Sequence, residues 1–237
     1  RMVMVNGASA SASEVLAPTI QDYNRGLIVG STTYGKATGQ SVFPAEGMNS
    51  PPTQARAGYV KVTTQRLYRV TGKSAQGVGI IPDVEIPDVF RVMDVKESSD
   101  PFALSGDSIP KNAYFRPMAS FDKKDLGRRS ADRVSNNAAF QRLVKTISWL
   151  EGRTSADSLP QKLDWRMYVA DAIERQNQLA SVDTIRSDEA PYAVGETSGM
   201  NNRLSVDAYA RELHDRWRKA LASDIYLQET YQILSDY

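Results

Sequence analysis

The chain has 237 residues, 41% of them hydrophobic and 24% charged, which are ordinary values for a globular protein with its own core. Its formal net charge of +1 gives no long-range attraction to nucleic acid or to an anionic membrane surface. The lack of cysteine excludes thiol catalysis, disulfides and cysteine-ligated metal sites. The single histidine, His214, excludes an HExxH zinc helix.

The chain opens directly on an apolar stretch, with no visible signal peptide and no apolar run of the ~20 residues needed to cross a bilayer. We therefore expect a chain cut from a longer one, whose targeting sequence lies elsewhere.

The first thirty residues predict a strand, a helix and a second strand. Met2 to Val5 is a short apolar run, and small residues follow it up to Glu14. From Val15 to Tyr23 the apolar side chains recur at helical spacing, and Gly26 to Gly30 is a second apolar run. Together they indicate a βαβ unit.

Ser11, at the start of the predicted helix, has two interpretations. Unpaired N–H groups and the helix dipole favour an anion there, such as the oxyanion formed when a serine attacks a carbonyl. Ser11 to Glu14 also matches the capping box S-x-x-E, which is common at ordinary helix starts. Spacing alone favours capping.

Between residues 31 and 87 the pattern predicts further strands joined by loops. Ser31 to Gln40 is small and glycine-bearing, as in a loop that another segment approaches closely. Ser41 to Phe43 favours a strand, and Pro44 to Ala57 favours an exposed loop. Gly58 to Val70 alternates with a period of two, which predicts a long strand or a bent pair. We expect a turn at 71–74 and a short strand bracketed by prolines within 77–87.

From about Asp88 the chain changes character. Residues 88–132 are polar and proline-bearing and predict irregular structure, and 181–202 predicts a polar linker. Helical segments elsewhere carry four apolar stripes that we interpret as packing surfaces. Their members are Phe140, Leu143, Val144, Ile147 and Leu150; Leu163, Met167, Ala170 and Ile173; Val206, Tyr209, Ala210, Leu213 and Trp217; and Leu227, Thr230, Tyr231 and Leu234. Ser205 and Ser223 are the predicted N-caps of the last two.

The presence of Lys36 favours a catalytic interpretation of Ser11. A lysine acts as a general base if burial lowers its pKa, and Ser-Lys pairs are an established alternative to Ser-His. Strands of a βαβ unit bring their C-terminal ends to one edge, which places Ser11 and Lys36 on the same side. The competing interpretation is a solvated surface lysine. His214 lies in a charged helical stretch, where we expect a solvated side chain and no catalytic role.

Three ordered motifs in the first 87 residues resemble the carboxyl-terminal processing (tail-specific) proteases of peptidase family S41. They are Ser9-Ala10-Ser11-Ala12-Ser13-Glu14, Gly30-x-x-x-Tyr34-Gly35-Lys36-x-x-x-Gln40, and Tyr68-Arg69-Val70-x-Gly72-x-Ser74-x-Gln76-Gly77-x-Gly79-Ile80-x-Pro82-Asp83. The region after Asp88 resembles the C-terminal helical domain of the periplasmic branch, more loosely.

The resemblance implies a role for each matching residue. Ser11 becomes the nucleophile, Lys36 its general base, and Gln40 the residue that helps to hold the lysine. The backbone N–H of Ala12 becomes an oxyanion donor. The implied fold is an α/β crotonase-like (ClpP/crotonase) partial core over 1–88, followed by a mostly α-helical domain over 89–237. No cofactor or metal is implied.

The resemblance also sets expectations for the whole protein. It implies a serine endopeptidase of the cell envelope, in the periplasm, that cleaves proteins near or from accessible C-termini. A PDZ domain and the first half of the core would precede this chain, so the fragment alone would be inactive. An adaptor protein, and a dimer through exposed edges of the core, are further expected partners. The rival function is a non-catalytic scaffold or partner-binding module on the same fold.

Overall fold

A computed structural model describes residues 1–45, 58–93, 95–154, 164–187 and 190–237. The strands are β1 (Met2–Val5), β2 (Leu27–Gly30), β3 (Thr38–Pro44), β4 (Tyr59–Arg66) and β5 (Val84–Glu85). The helices are α1 (Ser13–Asp22), α2 (Lys123–Asn136), α3 (Ala138–Thr154), α4 (Trp165–Val182), α5 (Ser198–Val206), α6 (Ala208–Ala222) and α7 (Ile225–Asp236). Most of the predicted loop at 44–57, and Leu163, lie outside the described residues.

The chain forms two compact units. The first comprises Arg1, Val3–Asp83 and Asp94–Phe121, and the second comprises Met2, Val84–Met93 and Asp122–Tyr237. The first unit is mixed α/β with small sheets, and the second is mostly helical. No described helix combines the length and the apolar character needed to cross a membrane.

The predicted strand–helix–strand opening of the first unit is confirmed. β1 and β2 are neighbours in one sheet, with α1 between them along the chain. Val15 and Leu16, which helical spacing placed on the packed face of α1, are exposed. The face of α1 on this sheet instead contains Ala17, which packs with Val5 and Ile28, all three buried. Burial of these side chains is what fixes the helix on the sheet, since a ten-residue helix is marginal by itself.

β3 and β4 form an antiparallel ribbon, a pairing that the alternation of residues 58–70 did not predict. The register runs from Thr38 opposite Arg66 to Pro44 opposite Tyr59, with an irregularity between Gly39 and Gln40. β4 ends at Arg66, because the chain then bends: Leu67 donates its N–H to the carbonyl of Ala37 at 2.9 Å and a turn follows.

Helices in the second unit begin at Lys123, so the prediction of irregular structure up to Asp132 is wrong over its last ten residues. Asp122 accepts hydrogen bonds from the N–H groups of Lys124 and Asp125 and caps α2. The predicted caps Ser205 and Ser223 are also wrong, since the side chains of Asp207 and Asp224 cap α6 and α7. A carboxylate satisfies the first amides and also interacts favourably with the helix dipole.

The predicted apolar stripes pack less completely than expected. In α3 all members are buried except Val144. In α4 and α6 the stripes are exposed, Met167, Ile173, Tyr209 and Trp217 among them, so their interpretation as packing surfaces is wrong. In α7 the buried face is instead Ile225, Gln228, Glu229, Thr230 and Ile233. The predicted linker at 181–202 is shorter, because α4 ends at Val182 and α5 begins at Ser198.

A charged pair joins α2 to α7. Arg133 Nη2 lies 2.8 Å from Glu229 Oε1 and Arg133 Nη1 lies 2.6 Å from Asp236 Oδ2. The Glu229 side chain is only 6% exposed. Its hydrogen bond is the largest reason why the pKa of Arg133 is raised.

We expect Arg133→Ala to lower the free energy of unfolding by about 3 kcal/mol, because it leaves the Glu229 carboxylate buried without its partner. Arg128→Ala on the same helix is the matched control. The Arg128 side chain is 65% exposed, and loss of its surface ion pairs with Asp125 and Asp132 should change stability far less, because solvent screens them. Urea unfolding followed by circular dichroism measures both; equal losses would contradict the assignment.

Candidate active site

Ser11 lies in the turn between β1 and α1 in a left-handed backbone conformation, with φ at +57°. Few residues other than glycine adopt this region, and they persist there only where surrounding contacts hold them. Upstream, the Asn6 side chain accepts the N–H of Ala8 at 3.1 Å, and Ser9 Oγ accepts the N–H of Asn6 at 3.1 Å. The turn presents Ser11 at the surface.

The hydroxyl of Ser11 does not cap the helix. Glu14 supplies its half of a capping box, since its Oε2 accepts the N–H of Ser11 at 3.1 Å. The N–H of Glu14 goes to the Ser11 carbonyl at 2.9 Å instead of to the hydroxyl. Among the described residues, Ser11 Oγ has no hydrogen-bond partner, so it is available for chemistry.

Glu14 connects the serine turn to the loop that carries Lys36. The residue is 5% exposed. Its Oε1 accepts the N–H of Gly35 at 2.7 Å and the hydroxyl of Thr33, and its Oε2 accepts the N–H of Lys36 at 2.7 Å. With the amide of Ser11, the carboxylate has four donors. A buried carboxylate is stable only when its oxygens are satisfied in this way.

The Lys36 loop is held from its other side as well. Thr33 Oγ1 accepts the N–H of Ile80 at 2.7 Å, and Gln76 Oε1 accepts the N–H of Ala37 at 2.8 Å. Gly79, with φ at +72°, lets these segments touch: a Cβ there would lie 2.3 Å from the Thr33 carbonyl oxygen. Any side chain at that position would separate the two segments.

Lys36 is half-buried and lines the same cavity as Ser11 and Glu14, whose volume is about 100 Å³. Lys36 Nζ donates a hydrogen bond to Gln40 Oε1 at 3.2 Å, which is the contact that a holding role for Gln40 requires. No hydrogen bond joins Ser11 Oγ to Lys36 Nζ in this structure. The two groups therefore share a cavity without being hydrogen-bonded to each other.

The amide of Ala12 is a free donor beside the serine. The N–H groups of Ser13 and Glu14 go to the carbonyls of Ala10 and Ser11, at 3.2 and 2.9 Å. That of Ala12 has no acceptor within the described parts of the chain. A free N–H next to the nucleophile at a helix start suits an oxyanion.

The opposite wall of the cavity contains a second charged pair. Arg69 Nε donates to Asp22 Oδ2 at 3.0 Å, and Arg69 Nη2 donates to Gln21 Oε1 at 2.8 Å. The Asp22 side chain is 7% exposed. The pair holds the end of α1 against the segment that follows β4.

His214 is more buried than the sequence suggested. Its side chain is 13% exposed, its Nε2 lies 3.6 Å from Glu196 Oε1, and its ring lies against Trp217. The expectation of a solvated histidine is wrong, because the segment before α5 covers one side of α6.

Sequence reasoning identified Ser11, Lys36, Gln40 and Ala12, and the catalytic roles given to them stay predictions. It missed Glu14 as the link between turn and loop, and it missed Thr33 and Gln76 as supports. A signal existed for Glu14: it is the only charged residue between Met2 and Gln21. Glutamate in so apolar a stretch needs buried partners.

Comparison with known proteins identifies a family for most of the chain. Residues 1–86 match the model of peptidase family S41, and residues 90–237 match that of the C-terminal domain of tail specific protease. The chain belongs to the tail-specific proteases of peptidase family S41.

Relatives within this family are similar over part of their length. The tail-specific protease of Haemophilus influenzae is 38% identical over 114 residues, which are 47% of this chain and 16% of that protein. The carboxy-terminal-processing protease of Bartonella bacilliformis is 37% identical over 98 residues, 40% of this chain and 20% of that protein. The chloroplastic carboxyl-terminal-processing peptidase 2 of Arabidopsis thaliana is 35% identical over 88 residues, which are 37% of this chain and 15% of that protein. The chain thus spans a fifth or less of these relatives.

We expect Glu14→Gln to loosen the Lys36 loop. Glutamine keeps one acceptor oxygen but places an NH₂ group where a carboxylate oxygen accepts backbone N–H groups. The free energy of unfolding of the first unit should fall by about 2 kcal/mol. Amide hydrogen exchange at Gly35 and Lys36 should accelerate.

Glu85→Gln is the matched control, because Glu85 is exposed on β5. It should leave stability within about 0.5 kcal/mol of the original. Unchanged exchange at Gly35 and Lys36 in Glu14→Gln would show that the carboxylate does not hold the loop.

Proposed function

We propose that this chain carries the catalytic Ser-Lys dyad of a serine endopeptidase, with Ser11 as nucleophile and Lys36 as general base. The observation that carries the proposal is the shared cavity, in which an uncapped serine hydroxyl and a half-buried lysine are positioned by one carboxylate. Family membership supports the same reaction class. A lysine that is only a solvated surface charge does not require a buried carboxylate to hold its loop.

The reaction follows from the groups present. The neutral amine of Lys36 accepts the proton of Ser11 Oγ as the oxygen attacks the peptide carbonyl carbon. Negative charge develops on the carbonyl oxygen, where the Ala12 N–H donates a hydrogen bond. The Lys36 ammonium then gives its proton to the leaving amine. In the second half of the reaction Lys36 accepts a proton from water as the water oxygen attacks the acyl-enzyme. It returns that proton to Ser11 Oγ as the acyl group leaves.

Gln40 positions the base in this scheme. Its Oε1 accepts from Lys36 Nζ, which limits the rotamers of a long and flexible side chain. A shift of Nζ toward Ser11 brings the dyad into contact, and substrate that fills the cavity and excludes water favours it.

We further propose that the whole protein has a crotonase-like core, that it cleaves proteins near or from accessible C-termini, and that it lies in the cell envelope. The names of the similar proteins, tail-specific and carboxy-terminal-processing proteases, support the substrate class. An adaptor protein and pairing through the edges of the core remain part of the proposal.

We expect Ser11→Ala and Lys36→Ala each to lower kcat of the full-length protein by at least about 10³-fold on a substrate with a flexible C-terminal tail. Lys36→Arg should be equally inactive, because guanidinium does not deprotonate. Gel-based proteolysis measures the loss.

Lys61→Ala is the control, since Lys61 is an exposed lysine on β4. It should retain full activity. Normal turnover by Lys36→Ala would exclude the dyad and would favour the rival function, a non-catalytic scaffold, for this part of the fold.

A further inference from the structure

A groove in the second unit lies between α3 and the end of α4. Its volume is about 580 Å³, within the range typical of ligand sites. Among the described residues, Arg142, Lys145 and Trp149 line it from α3, and Gln178, Thr184 and Ile185 line it from the end of α4 and the turn beyond. The sequence patterns gave this groove no role.

Two cations of the groove have no counter-ion among the residues that the structure describes. Arg142 and Lys145 are three residues apart and so lie on one face of α3. No described carboxylate pairs with either. Arg153, further along the same helix, is by contrast paired with both Asp171 and Glu174 and lies over the Trp149 ring at 4.3 Å.

Two hydroxyl groups of the groove donate within the chain, and the donors left for a ligand include the two cations and the side-chain amide of one glutamine. Ser181 Oγ donates to the carbonyl of Gln178 at 2.6 Å, and Thr184 Oγ1 donates to that of Ser181 at 2.7 Å. The amide of Gln178 has no partner within the described residues. None of the described residues that line the groove is acidic. Two cations and a free amide in a recess attract an anion.

The groove also has an apolar side. Trp149 is partly buried, and Ile185 is 8% exposed. A ligand that matches both sides carries a carboxylate next to an apolar group. Acidic peptide segments that also contain apolar side chains supply both groups.

A membrane surface matches the groove less well. Asp171 and Glu174 are partly exposed on α4, with side chains 42% and 51% accessible, and a bilayer reaching Arg142 would also approach these acids. The net charge of +1 adds no general attraction to anionic lipid.

We propose that this groove is an exosite for an acidic segment of a protein substrate, with a substrate carboxylate paired to Arg142 and Lys145 and an apolar neighbour against Trp149. The proposal rests on the proposed peptidase function only in taking the ligand as part of a substrate. Binding itself is independent of Ser11 and Lys36.

Trp149 reports the binding directly. The chain has three tryptophans, so Trp165→Phe with Trp217→Phe leaves Trp149 as the single indole. We expect its fluorescence to change saturably with a peptide of two glutamates flanking a leucine, and not with the same peptide carrying glutamines. Arg142→Gln with Lys145→Gln should weaken binding at least about tenfold.

Lys124→Gln with Arg166→Gln is the matched control, since both residues are exposed cations outside the groove. The control should bind as the parent does. Equal response to the two peptides, or equal affinity in the groove variant, would overturn the proposal. A response to phosphatidylglycerol vesicles or inorganic phosphate that matches or exceeds that to the glutamate peptide would also overturn it.

Proteolysis by the full-length protein tests the exosite role. Arg142→Gln with Lys145→Gln should raise KM about tenfold for a substrate with the acidic segment, leave kcat unchanged, and leave a glutamine-bearing substrate unaffected. Peptide binding without any change in KM would overturn the exosite. If Ser11→Ala leaves proteolysis intact, the proposed function fails, while the fluorescence result on the groove still stands.

Discussion

The carboxylate of Glu14 is the interaction on which the candidate site depends. Burial of a charge is costly, so its two oxygens must be satisfied, and the available donors are the amide of Ser11 and three groups from the Lys36 loop. Satisfying one group therefore positions both halves of the site. The serine turn and the lysine loop cannot move apart without leaving that charge unpaired.

This arrangement also explains how Ser11 keeps both its unusual backbone and its free hydroxyl. A serine at a helix start normally lowers its energy by capping with the side chain. Here the glutamate satisfies the Ser11 amide, and the left-handed φ of +57° accompanies a hydroxyl without a described partner. Strain held by surrounding contacts is typical of functional turns. The same turn leaves the Ala12 amide free.

Sequence patterns predicted the strands and helices that form from residues close together along the chain. The strand–helix–strand opening follows from apolar runs and helical spacing, and the strand character of β4 follows from alternation, although its pairing with β3 was not predicted. The role of Glu14 was not predicted, because a capping box already accounts for its spacing to Ser11, while its other donors are 19 to 22 residues away. The stripes on α4 and α6 were misread for a related reason. Period reveals which side chains share a face, but it carries no information about what covers that face.

The central claim is that Lys36 activates Ser11, and the most direct test is the rate at which a sulfonyl fluoride modifies Ser11 in the full-length protein. We predict that modification is at least about a hundredfold slower in Lys36→Ala than in the parent protein, because the serine then lacks its general base. Modification at the same rate in both proteins would contradict the claim.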